Sequence, residues 1–437
     1  MEAYIAAFGT KEVSFRFRGR DYAFALSQGL FSSAGIDAGT ALLLRFFSRM
    51  IDDDTQTDRP PPKMILDAGC GIGVIGICAA ASFPGPGGAV RAQDRDELAR
   101  VFTEYNARQN GIPADLFEAH TEPLLAGPPE SRWDLILSNV PAKAGKPVLE
   151  DFVFRSAGLL NDGGRCLIVV VNPLEEFFRG AIAAANAPLL GETEGPGHHV
   201  FLYGPSASSA DTGCAKPTAI GKSFFQDHSF YRRANAVYTM EDTSYQLETI
   251  HGAADFDSPG GEIQAAAKLF SRLMEAPSHL PGTILNSVLI HEGGQGHFSA
   301  WLAARFSMKD TAFVLSGRNI LALEAALHNA KDPGRNHFPP RQVQIISAVD
   351  PFLDGEKLRA AAVNGYSLIA AFPEIIPQTS YHEALWESFD QLLAKDGIAL
   401  VGLSSTEAER FDRKKPKGYT RLGDLKRKGF RALAYSC

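Results

Sequence analysis

The chain has 437 residues, which exceeds the usual size of a single hydrophobic core and predicts two or three domains. Apolar residues make up 45% and charged residues 21%, as in ordinary globular proteins, and no run predicts a membrane span or a signal peptide. The five cysteines include no C-x-x-C pair, so we expect no metal site and a reducing, cytoplasmic compartment. The net charge of −7 does not by itself favour a nucleic-acid partner.

Short apolar runs alternate with helical patterns along the first half of the chain. A segment beginning at Phe31, FSSAGIDAGTALLLRFFSRM, predicts a loop that leads into an amphipathic helix. Four predicted strands follow, with helical patterns between them: KMILDAG, GAVRAQD, WDLILSN and GRCLIVVVN. Nearly continuous apolar strands joined by helices predict a buried parallel sheet with helices on both faces. Ligands of such sheets bind at the carboxyl ends of the strands, so the residues there are the candidate site.

The second half of the chain repeats this order of segments. FDSPGGEIQAAAKLFSRLM begins at Phe256, 225 residues after Phe31, and four further segments match their counterparts in the same order. Between the halves, residues 206–221 are rich in Ser, Ala, Gly, Thr and Pro, a composition typical of a linker. We therefore expect a first domain over residues 1–205 and a second over residues 222–437.

The stretch LDAGCGIGVIGIC, which begins at Leu66, fits two cofactor motifs. Its glycines at positions 71, 73 and 76 have the G-x-G-x-x-G spacing of dinucleotide-binding proteins, which indicates hydride transfer. Asp67 and the glycines at positions 69, 71 and 73 have the spacing of enzymes that use S-adenosylmethionine (AdoMet), which indicates methyl transfer. Asp94, at the end of the next predicted strand, could accept hydrogen bonds from ribose hydroxyls in either case.

Three features outside the glycines favour AdoMet. Asp67 precedes the first glycine, which the hydride-transfer motif does not require. SNVPAKAG follows a later strand, where a methyltransferase would bind its substrate, and the Phe31 segment precedes the sheet. We therefore predict methyl transfer.

With these motifs, the sequence resembles the AdoMet-dependent methyltransferases that modify the exocyclic N2 of guanine in ribosomal RNA. FSSAGIDAGTALLL, LDAGCGIGVIGI, Asp94 and LILSNVPAKAG carry the resemblance, which covers most of residues 15–203 and, faintly, the second half. It implies an α/β chain of two tandem Rossmann-like class I methyltransferase domains, each a mostly parallel seven-stranded sheet with helices on both faces, only one of them active. It also implies a ribosomal RNA partner, and we expect a monomer whose two domains form an internal pseudo-dimer.

The resemblance assigns roles to individual residues. Asn139 and Pro141 are the expected catalytic residues, because an Asn side chain and a carbonyl fixed by proline can accept hydrogen bonds from an exocyclic amine. Gly39 and Thr40 are expected to close over the methionine end of AdoMet. The full set of expected cofactor-binding residues is Thr40, Asp67, Gly69, Gly71, Gly73, Asp94, Thr121 and Asn139.

The Asn139 segment departs from the family pattern at two positions. Val140 stands where the family has proline, and Ala142 stands where an aromatic residue would stack on a base, a contact worth ~1–3 kcal/mol. Phe31 is the candidate replacement for that aromatic residue, and Lys143 is a candidate substrate contact. The departure leaves open an AdoMet enzyme that acts on a protein amide or a small molecule, with a non-catalytic binding protein as a third alternative.

Two adjacent histidines, His198 and His199, lie on a predicted strand. Neighbouring side chains on a strand point to opposite faces, so we expect these two not to share a metal ion and interpret both as structural.

Alignment of the two halves predicts that the second domain does not bind AdoMet. The phenylalanine aligned with Gly73 is expected to enter the cofactor space, and two acceptors are expected to be lost. The aligned pairs are Asp67 with Glu292, Gly73 with Phe298, Asp94 with Gly317 or Asn319, and Asn139 with Ala371.

The C-terminal segment is strongly basic in an otherwise acidic chain. Residues 410–437 contain ten Lys or Arg and two Asp, a local excess typical of a polyanion site. We therefore predict that the second domain binds RNA phosphates, with Lys414, Lys415 and Lys417 as candidate contacts. The alternative is an ordinary solvated surface.

Overall fold

A computed structural model describes residues 1–83, 89–126, 131–207, 224–255, 257–275, 285–331 and 340–437. The chain divides into two compact units, Met1–Lys222 and Ser223–Cys437. Of the predicted linker, residues 206–221, only residues 206 and 207 are among the described residues. The expected boundary at residue 222 also lies outside them. The roles assigned to the two domains, and their exact limits, stay predictions.

The first unit alternates strands and helices as the sequence predicts. Its elements in chain order are α1 (Glu2–Phe8), β1 (Lys11–Phe17), β2 (Arg20–Leu26), α2 (Ala38–Gln56), β3 (Met64–Ala68), α3 (Val74–Ser82), β4 (Ala89–Asp94), α4 (Glu97–Gln109), β5 (Phe117–Thr121), β6 (Trp133–Asn139), α5 (Lys146–Leu159), β7 (Leu160–Val171), α6 (Glu175–Ala184), β8 (Leu189–Gly195) and β9 (His198–Tyr203).

Seven of these strands form one sheet in the order β5-β4-β3-β6-β7-β9-β8, and β1 and β2 form a separate hairpin. The first five strands of the sheet run parallel, whereas β9 pairs antiparallel with both β7 and β8. The central strands are buried, since they carry runs such as Leu135–Leu137 and Cys166–Val170 with almost no exposed surface. Helix crossovers cover both faces of such a sheet, and the carboxyl ends of β3, β4 and β6 meet at one edge.

The second unit repeats this order of elements and has one additional helix. Its elements are α7 (Phe224–Asp227), β10 (Arg232–Met240), β11 (Thr243–Ile250), α8 (Gly261–Glu275), β12 (Ser287–His291), α9 (His297–Arg305), β13 (Ala312–Gly317), α10 (Ile320–Lys331), β14 (Gln342–Ser347), α11 (Gly355–Ala360), β15 (Tyr366–Ala371), α12 (Tyr381–Leu392), β16 (Leu393–Ser404), α13 (Ser405–Arg413), β17 (Thr420–Arg427) and β18 (Phe430–Ser436). The additional helix is α11, between β14 and β15.

Its sheet has the order β14-β13-β12-β15-β16-β18-β17, which repeats the first sheet strand for strand, again beside a two-stranded hairpin. The prediction of two tandem, mostly parallel seven-stranded sheets is therefore confirmed. None of the helices in the described ranges combines the length and the apolar character needed to cross a membrane.

A buried asparagine makes the same three hydrogen bonds in both units. On α4, Asn106 accepts from the Ala25 N–H at 2.8 Å and donates to the carbonyls of Ala25 and Ile72. On α10, Asn329 accepts from the Glu248 N–H at 2.9 Å and donates to the carbonyls of Glu248 and Gln295, both at 3.0 Å. Each asparagine thus joins a hairpin strand, β2 or β11, to the loop that follows β3 or β12. This repeated contact is independent evidence for the duplication.

Replacing either asparagine should weaken its own unit. Asn106→Ala leaves buried backbone groups of Ala25 and Ile72 without partners, so we expect the free energy of unfolding of the first unit to fall by about 2–4 kcal/mol. Asn329→Ala should do the same in the second unit.

Hydrogen exchange followed by mass spectrometry reports the two units separately and tests this expectation. The control is Asn235→Ala on the exposed face of β10, where we expect a change within about 0.5 kcal/mol. Equal, small effects of all three substitutions would contradict the structural role of the buried pair.

Candidate active site

The loop between β3 and α3 presents open backbone at the carboxyl edge of the first sheet. Gly71 has φ +58°, and a Cβ atom built there would meet no other atom within 4 Å, so the space beside it is free. Gly73 has φ +87° and is the N-cap of α3, and a Cβ atom there would lie 2.9 Å from the Thr103 side chain. Only glycine combines this backbone conformation with this close packing. The loop is therefore shaped for a ligand that contacts main-chain atoms.

Asp67 lies beneath this loop rather than at its surface. Its side chain is fully buried, and Oδ2 accepts a hydrogen bond from the Gly76 N–H at 2.7 Å. A Cβ atom at Gly76 would lie 2.9 Å from that oxygen, so the last glycine of the G-x-G-x-x-G spacing makes room for this contact. Burial raises the pKa of Asp67 to about 7, and the nearby charge of Asp94 adds to the shift. Its expected role in cofactor binding stays a prediction.

Asp94 ends β4 and connects that strand to the glycine loop. Its Oδ2 accepts from the Gly71 N–H and its Oδ1 from the Asp96 N–H, both at 3.0 Å. Burial and the neighbouring Asp96 carboxylate raise the pKa of Asp94. Thr121 is paired with Asp94 in the sheet register, and its hydroxyl donates to the Glu97 carboxylate. Asp94 and Thr121, both predicted to bind the cofactor, thus lie side by side.

Asn139 ends β6 and contacts the first turn of α2. Its Nδ2 atom donates to Asp37 Oδ2 at 2.9 Å and to Thr40 Oγ1 at 3.0 Å. Asp37 is the N-cap of α2 and also accepts from the Thr40 N–H at 3.1 Å. The fold therefore brings together the two predicted segments that flank the substrate and the methionine end of the cofactor, although they lie about a hundred residues apart in sequence.

The residues of this edge fit AdoMet. The space beside Gly71 accommodates a ligand close to the main chain. Each Asp94 oxygen has bonded one backbone N–H and retains lone pairs that can accept from ribose hydroxyls. The Oδ1 atom of Asp67 is buried and finds no donor among the described residues. Within the same ranges, no group of three or more His, Cys, Asp or Glu could hold a metal ion.

The predicted substrate residues of the first unit lie on exposed loops. Phe31 is 69% exposed in the loop before α2, and Pro141 and Lys143 are exposed in the turn after β6. Val140 is buried instead, and its N–H donates to the Val169 carbonyl, so it continues the strand pairing of β6. The roles of Phe31, Pro141 and Lys143 stay predictions.

Two residues beside the start of α2, one in contact with Asn139 and one close to Gly39, were not identified from the sequence as part of the site. One is Asp37, whose position three residues before Thr40 at a helix start is a recognisable N-cap signal. The other is His198 at the start of β9. A Cβ atom on Gly39 would lie 2.7 Å from His198 Cδ2 and 3.0 Å from its Nε2. This histidine comes close because β9 runs antiparallel beside β7, a reversal that the pattern of apolar runs does not indicate.

His199 lies on the other face of β9, as the sequence predicts. It is 5% exposed and bonded through Nε2 to Glu192 at 3.0 Å. The two histidines therefore do not share a site.

The equivalent loop of the second unit keeps its glycine geometry but corrects our alignment. Gly294 has φ +59° and Gly296, the N-cap of α9, has φ +101°, so they correspond to Gly71 and Gly73. Glu292, with φ +55°, then takes the place of Gly69 rather than of Asp67. The sheet register places Ile290 at the position of Asp67. The alignment was wrong by two residues because it matched one acid to another instead of one backbone conformation to another.

This shift changes which residues of the second unit stand at the predicted cofactor-binding positions. Phe298 is fully buried in α9 and packs against Trp301, so the prediction that it enters the cofactor space was wrong. The register of β15 places Phe372, not Ala371, at the position of Asn139. Its ring lies 5.1 Å from that of Phe298. An apolar pair therefore replaces the amide acceptor.

Gly317 does stand at the position of Asp94, as expected. A Cβ atom built on this glycine would lie 3.2 Å from the Glu292 carboxylate, closer than ordinary van der Waals contact. That carboxylate accepts from the Arg318 N–H at 2.8 Å. A side chain of the loop thus covers the position from which an acid would face a ribose.

The basic C-terminal segment forms the end of α13 and the β17–β18 hairpin of the second sheet. Many of its cations have partners within the unit: Lys414 pairs with Glu383 at 2.8 Å, Lys415 donates to the Tyr419 carbonyl at 2.6 Å, and Arg421 pairs with Asp412 at 2.6 Å. Three other lysines are exposed on the loop and hairpin, namely Lys417, Lys426 and Lys428. These three are the better candidates for an external anion, whereas Lys414 and Lys415 stabilise the segment.

Comparison with known proteins identifies relatives of the first unit. Residues 21–179 match the methyltransferase small domain family. The uncharacterized protein YbxB of Bacillus subtilis (strain 168) is 31% identical over 183 residues, which cover 38% of this chain and 81% of that protein. Ribosomal RNA small subunit methyltransferase C of Actinobacillus pleuropneumoniae serotype 5b (strain L20) is 33% identical over 153 residues, 33% of this chain and 41% of that protein. Ribosomal protein L11 methyltransferase of Idiomarina loihiensis is 30% identical over 159 residues, 36% of this chain and 47% of that protein. The aligned part thus spans less than half of either named methyltransferase.

One solved structure is similar along the whole chain. It is a 16S rRNA N2-guanine methyltransferase from T. thermophilus in complex with AdoMet and guanosine, with a TM-score of 0.59 and 14% identity over 98% of both chains. At this identity the likeness shows a shared fold.

The buried Asp67 should make the stability of the first unit depend on pH. Its pKa of about 7 in the folded chain exceeds the value of about 3.9 expected in an unfolded chain, so folding opposes its ionisation. The unit should therefore lose stability as the pH rises from about 4 to about 7. Asp67→Asn keeps an acceptor for Gly76 and removes this loss, so its advantage over the parent should grow across that range by a few kcal/mol, on the order expected from linkage.

Hydrogen exchange of first-unit peptides, corrected for the intrinsic pH dependence of exchange, measures this difference. Asp134→Asn is the control of opposite sign. Partial burial of Asp134 tends to raise its pKa, but hydrogen bonds from Asn161 and the backbone N–H of Met64 outweigh that effect and lower it. Folding therefore favours the ionised form of Asp134. A pH-independent difference for Asp67→Asn would show that its carboxyl group is not desolvated.

Proposed function

Because the chain belongs to the methyltransferase small domain family, we propose that its first unit transfers the methyl group of AdoMet to the exocyclic N2 of guanine in ribosomal RNA. The observation that carries this proposal is Asn139, a half-buried amide at the end of β6 beside the open glycine loop. An amide carbonyl at this position suits an acceptor substrate with N–H groups. The names of the ribosomal RNA methyltransferase relatives, and the guanosine complex with a similar fold, support the same substrate class.

The residues of the first unit would divide the reaction between binding and orientation. When bound, AdoMet supplies an electrophilic methyl group on a sulfonium. Asp94 would accept from its ribose hydroxyls, and the backbone at Gly71 would contact it closely. The Asn139 side-chain carbonyl would accept a hydrogen bond from one N–H of the guanine amine. A backbone carbonyl in the turn fixed by Pro141 would accept from the other N–H. The amine nitrogen would then be directed at the methyl group. Orientation of this kind supplies most of the rate when no strong general base is needed. The amine proton leaves to solvent after the transfer.

We also propose that the second unit does not bind AdoMet and instead contributes to RNA binding. Ile290, Gly317 and Phe372 replace the two acids and the amide of the first unit, and Glu292 covers the ribose position. Lys417, Lys426 and Lys428 supply exposed positive charge on this unit. A cytoplasmic location and a monomeric state stay predictions.

The direct test is transfer of a tritiated methyl group from AdoMet to ribosomal subunits, free ribosomal RNA and total soluble protein in parallel. We expect label in RNA that yields N2-methylguanosine after nuclease digestion. Label in protein alone would contradict the guanine proposal and favour a protein amide, an outcome to which the ribosomal protein L11 methyltransferase relative gives weight. Label in neither RNA nor protein would leave a small-molecule acceptor.

Asn139→Ala should separate turnover from cofactor binding. Its proposed partner is the amine, so kcat should fall about 100-fold or more while the AdoMet dissociation constant changes little. Asp94→Ala should instead weaken AdoMet binding while kcat changes little, because a hydrogen bond to a charged acceptor contributes ~1.5–3 kcal/mol to binding. Calorimetric titration measures both affinities and should give one AdoMet per chain. Two equivalents, or parallel losses in both variants, would contradict these assignments.

The exposed lysines of the second unit should contribute to RNA affinity through phosphates. Changing Lys417, Lys426 and Lys428 to Gln should lower the logarithmic salt dependence of RNA binding by about two units, since each phosphate contact contributes roughly 0.7–0.9. AdoMet affinity should not change.

The control for this variant removes the same charge from the second unit at Lys268, Lys331 and Lys395, outside the hairpin. Binding to ribosomal RNA is measured at several salt concentrations for the parent and both variants. Equal salt slopes in the two triple variants would show that the hairpin is only a solvated surface.

A further inference from the structure

Both N–H groups of the Asn139 side chain are already engaged within the first unit. Nδ2 donates to Asp37 Oδ2 at 2.9 Å and to Thr40 Oγ1 at 3.0 Å. A primary amide has two N–H donors and one carbonyl acceptor, so Oδ1 is the only polar atom of this side chain left for a substrate. Asn139 therefore faces a ligand as an acceptor alone.

Asp37 determines which end of the amide faces inward. A carboxylate has no proton to donate, so only the NH2 end of Asn139 can face it, whereas the Thr40 hydroxyl could pair with either end. Asp37 is itself fixed, because the same Oδ2 atom caps α2 by accepting from the Thr40 N–H at 3.1 Å. The carboxylate cannot turn away from Asn139 without uncapping the helix. The start of α2 and the end of β6 are thus coupled through one oxygen atom.

We propose that Asp37 is a positioning residue that sets the hydrogen-bond polarity of Asn139 and thereby selects a methyl acceptor carrying N–H groups. The inference rests on the proposed function, in which Asn139 accepts from the guanine amine. With the amide as observed, the amine donates to Oδ1 and its nitrogen is directed toward the methyl group. With the amide reversed, two N–H donors would face each other and the amine would be repelled. The negative charge on Asp37 also polarises the amide and strengthens Oδ1 as an acceptor.

Two substitutions of Asp37 separate this role from helix capping. Asp37→Ser keeps a strong N-cap residue but is too short to reach Asn139, so the amide is free to reverse. Asp37→Asn keeps both contacts, because the Thr40 N–H requires an acceptor at the shared position and the new amide would place its carbonyl oxygen there. We expect kcat to fall roughly 10- to 100-fold in the Ser variant, as for other misplaced reacting groups, and to recover to within a few-fold of the parent in the Asn variant. The KM for AdoMet and the melting temperature should change little in either.

A second measurement does not depend on turnover. In ¹⁵N-edited NMR spectra of the full chain, the Asn139 side-chain NH2 group, assigned with Asn139→Ala, should exchange slowly with solvent in the parent and in Asp37→Asn. In Asp37→Ser its exchange should speed up at least 10-fold.

The outcomes distinguish this inference from the proposed function. A parent that methylates something other than RNA would contradict the proposed function, and the ranking of the variants would then be measured on the substrate that it does methylate. Parent-like turnover and exchange in Asp37→Ser would overturn the positioning role. Parallel losses of kcat, AdoMet affinity and melting temperature would reduce Asp37 to a helix cap. An Asn variant as slow as the Ser variant would show that charge, not amide orientation, matters.

Discussion

The whole arrangement depends on a side-chain amide that takes the place of missing backbone hydrogen bonds. Asn106 and Asn329 each bond an N–H and a carbonyl of the hairpin strand and a carbonyl of the glycine loop. These backbone groups are buried where no strand pairs with them, and leaving them unbonded would cost about 1–3 kcal/mol each. The asparagine therefore fixes the loop against the hairpin, whether or not a ligand binds there. That explains why both units keep it.

The residues predicted to contact ligands differ between the two units, whereas the structural asparagine is present in both. In the first unit Asp94 connects to the loop at Gly71, and Asn139 connects to the start of α2. In the second unit the same positions hold Gly317 and Phe372, and the loop reaches across with Glu292 instead. The first loop has three glycines in the left-handed region, and the second has two, with Glu292 in the same region at the third position, so loop shape alone does not distinguish the two units. The side chains at the neighbouring strand ends do.

The sequence predicted the fold because its main signals are local. Apolar strand runs, the glycine stretch and the ordered repeat of segments are each read within a few residues, and together they gave both sheets. The positions of Asp94 and Asn139 at strand ends followed from the same pattern. The alignment of the two halves failed because it depended on backbone conformation. Glu292 adopts a positive φ typical of glycine, which its residue type does not indicate, and this shifted the alignment by two residues. His198 and Asp37 were missed because their neighbours come from distant elements, β9 folding back beside β7 and α2 meeting β6.

The buried carboxyl group beneath the loop suggests why one unit could lose its site and keep its fold. Asp67 is fully buried, its Oδ1 finds no donor among the described residues, and burial raises its pKa to about 7. Such a group lowers stability at neutral pH unless it serves a ligand or shapes the loop for one. At the same position the second unit has Ile290, which is 2% exposed within the core of that unit. Replacing a desolvated carboxyl group with an apolar side chain removes the destabilising term and adds buried apolar surface. At this position the physical chemistry of the core therefore favours the isoleucine of the second unit, whereas the first unit retains the less stable carboxyl group beneath its glycine loop.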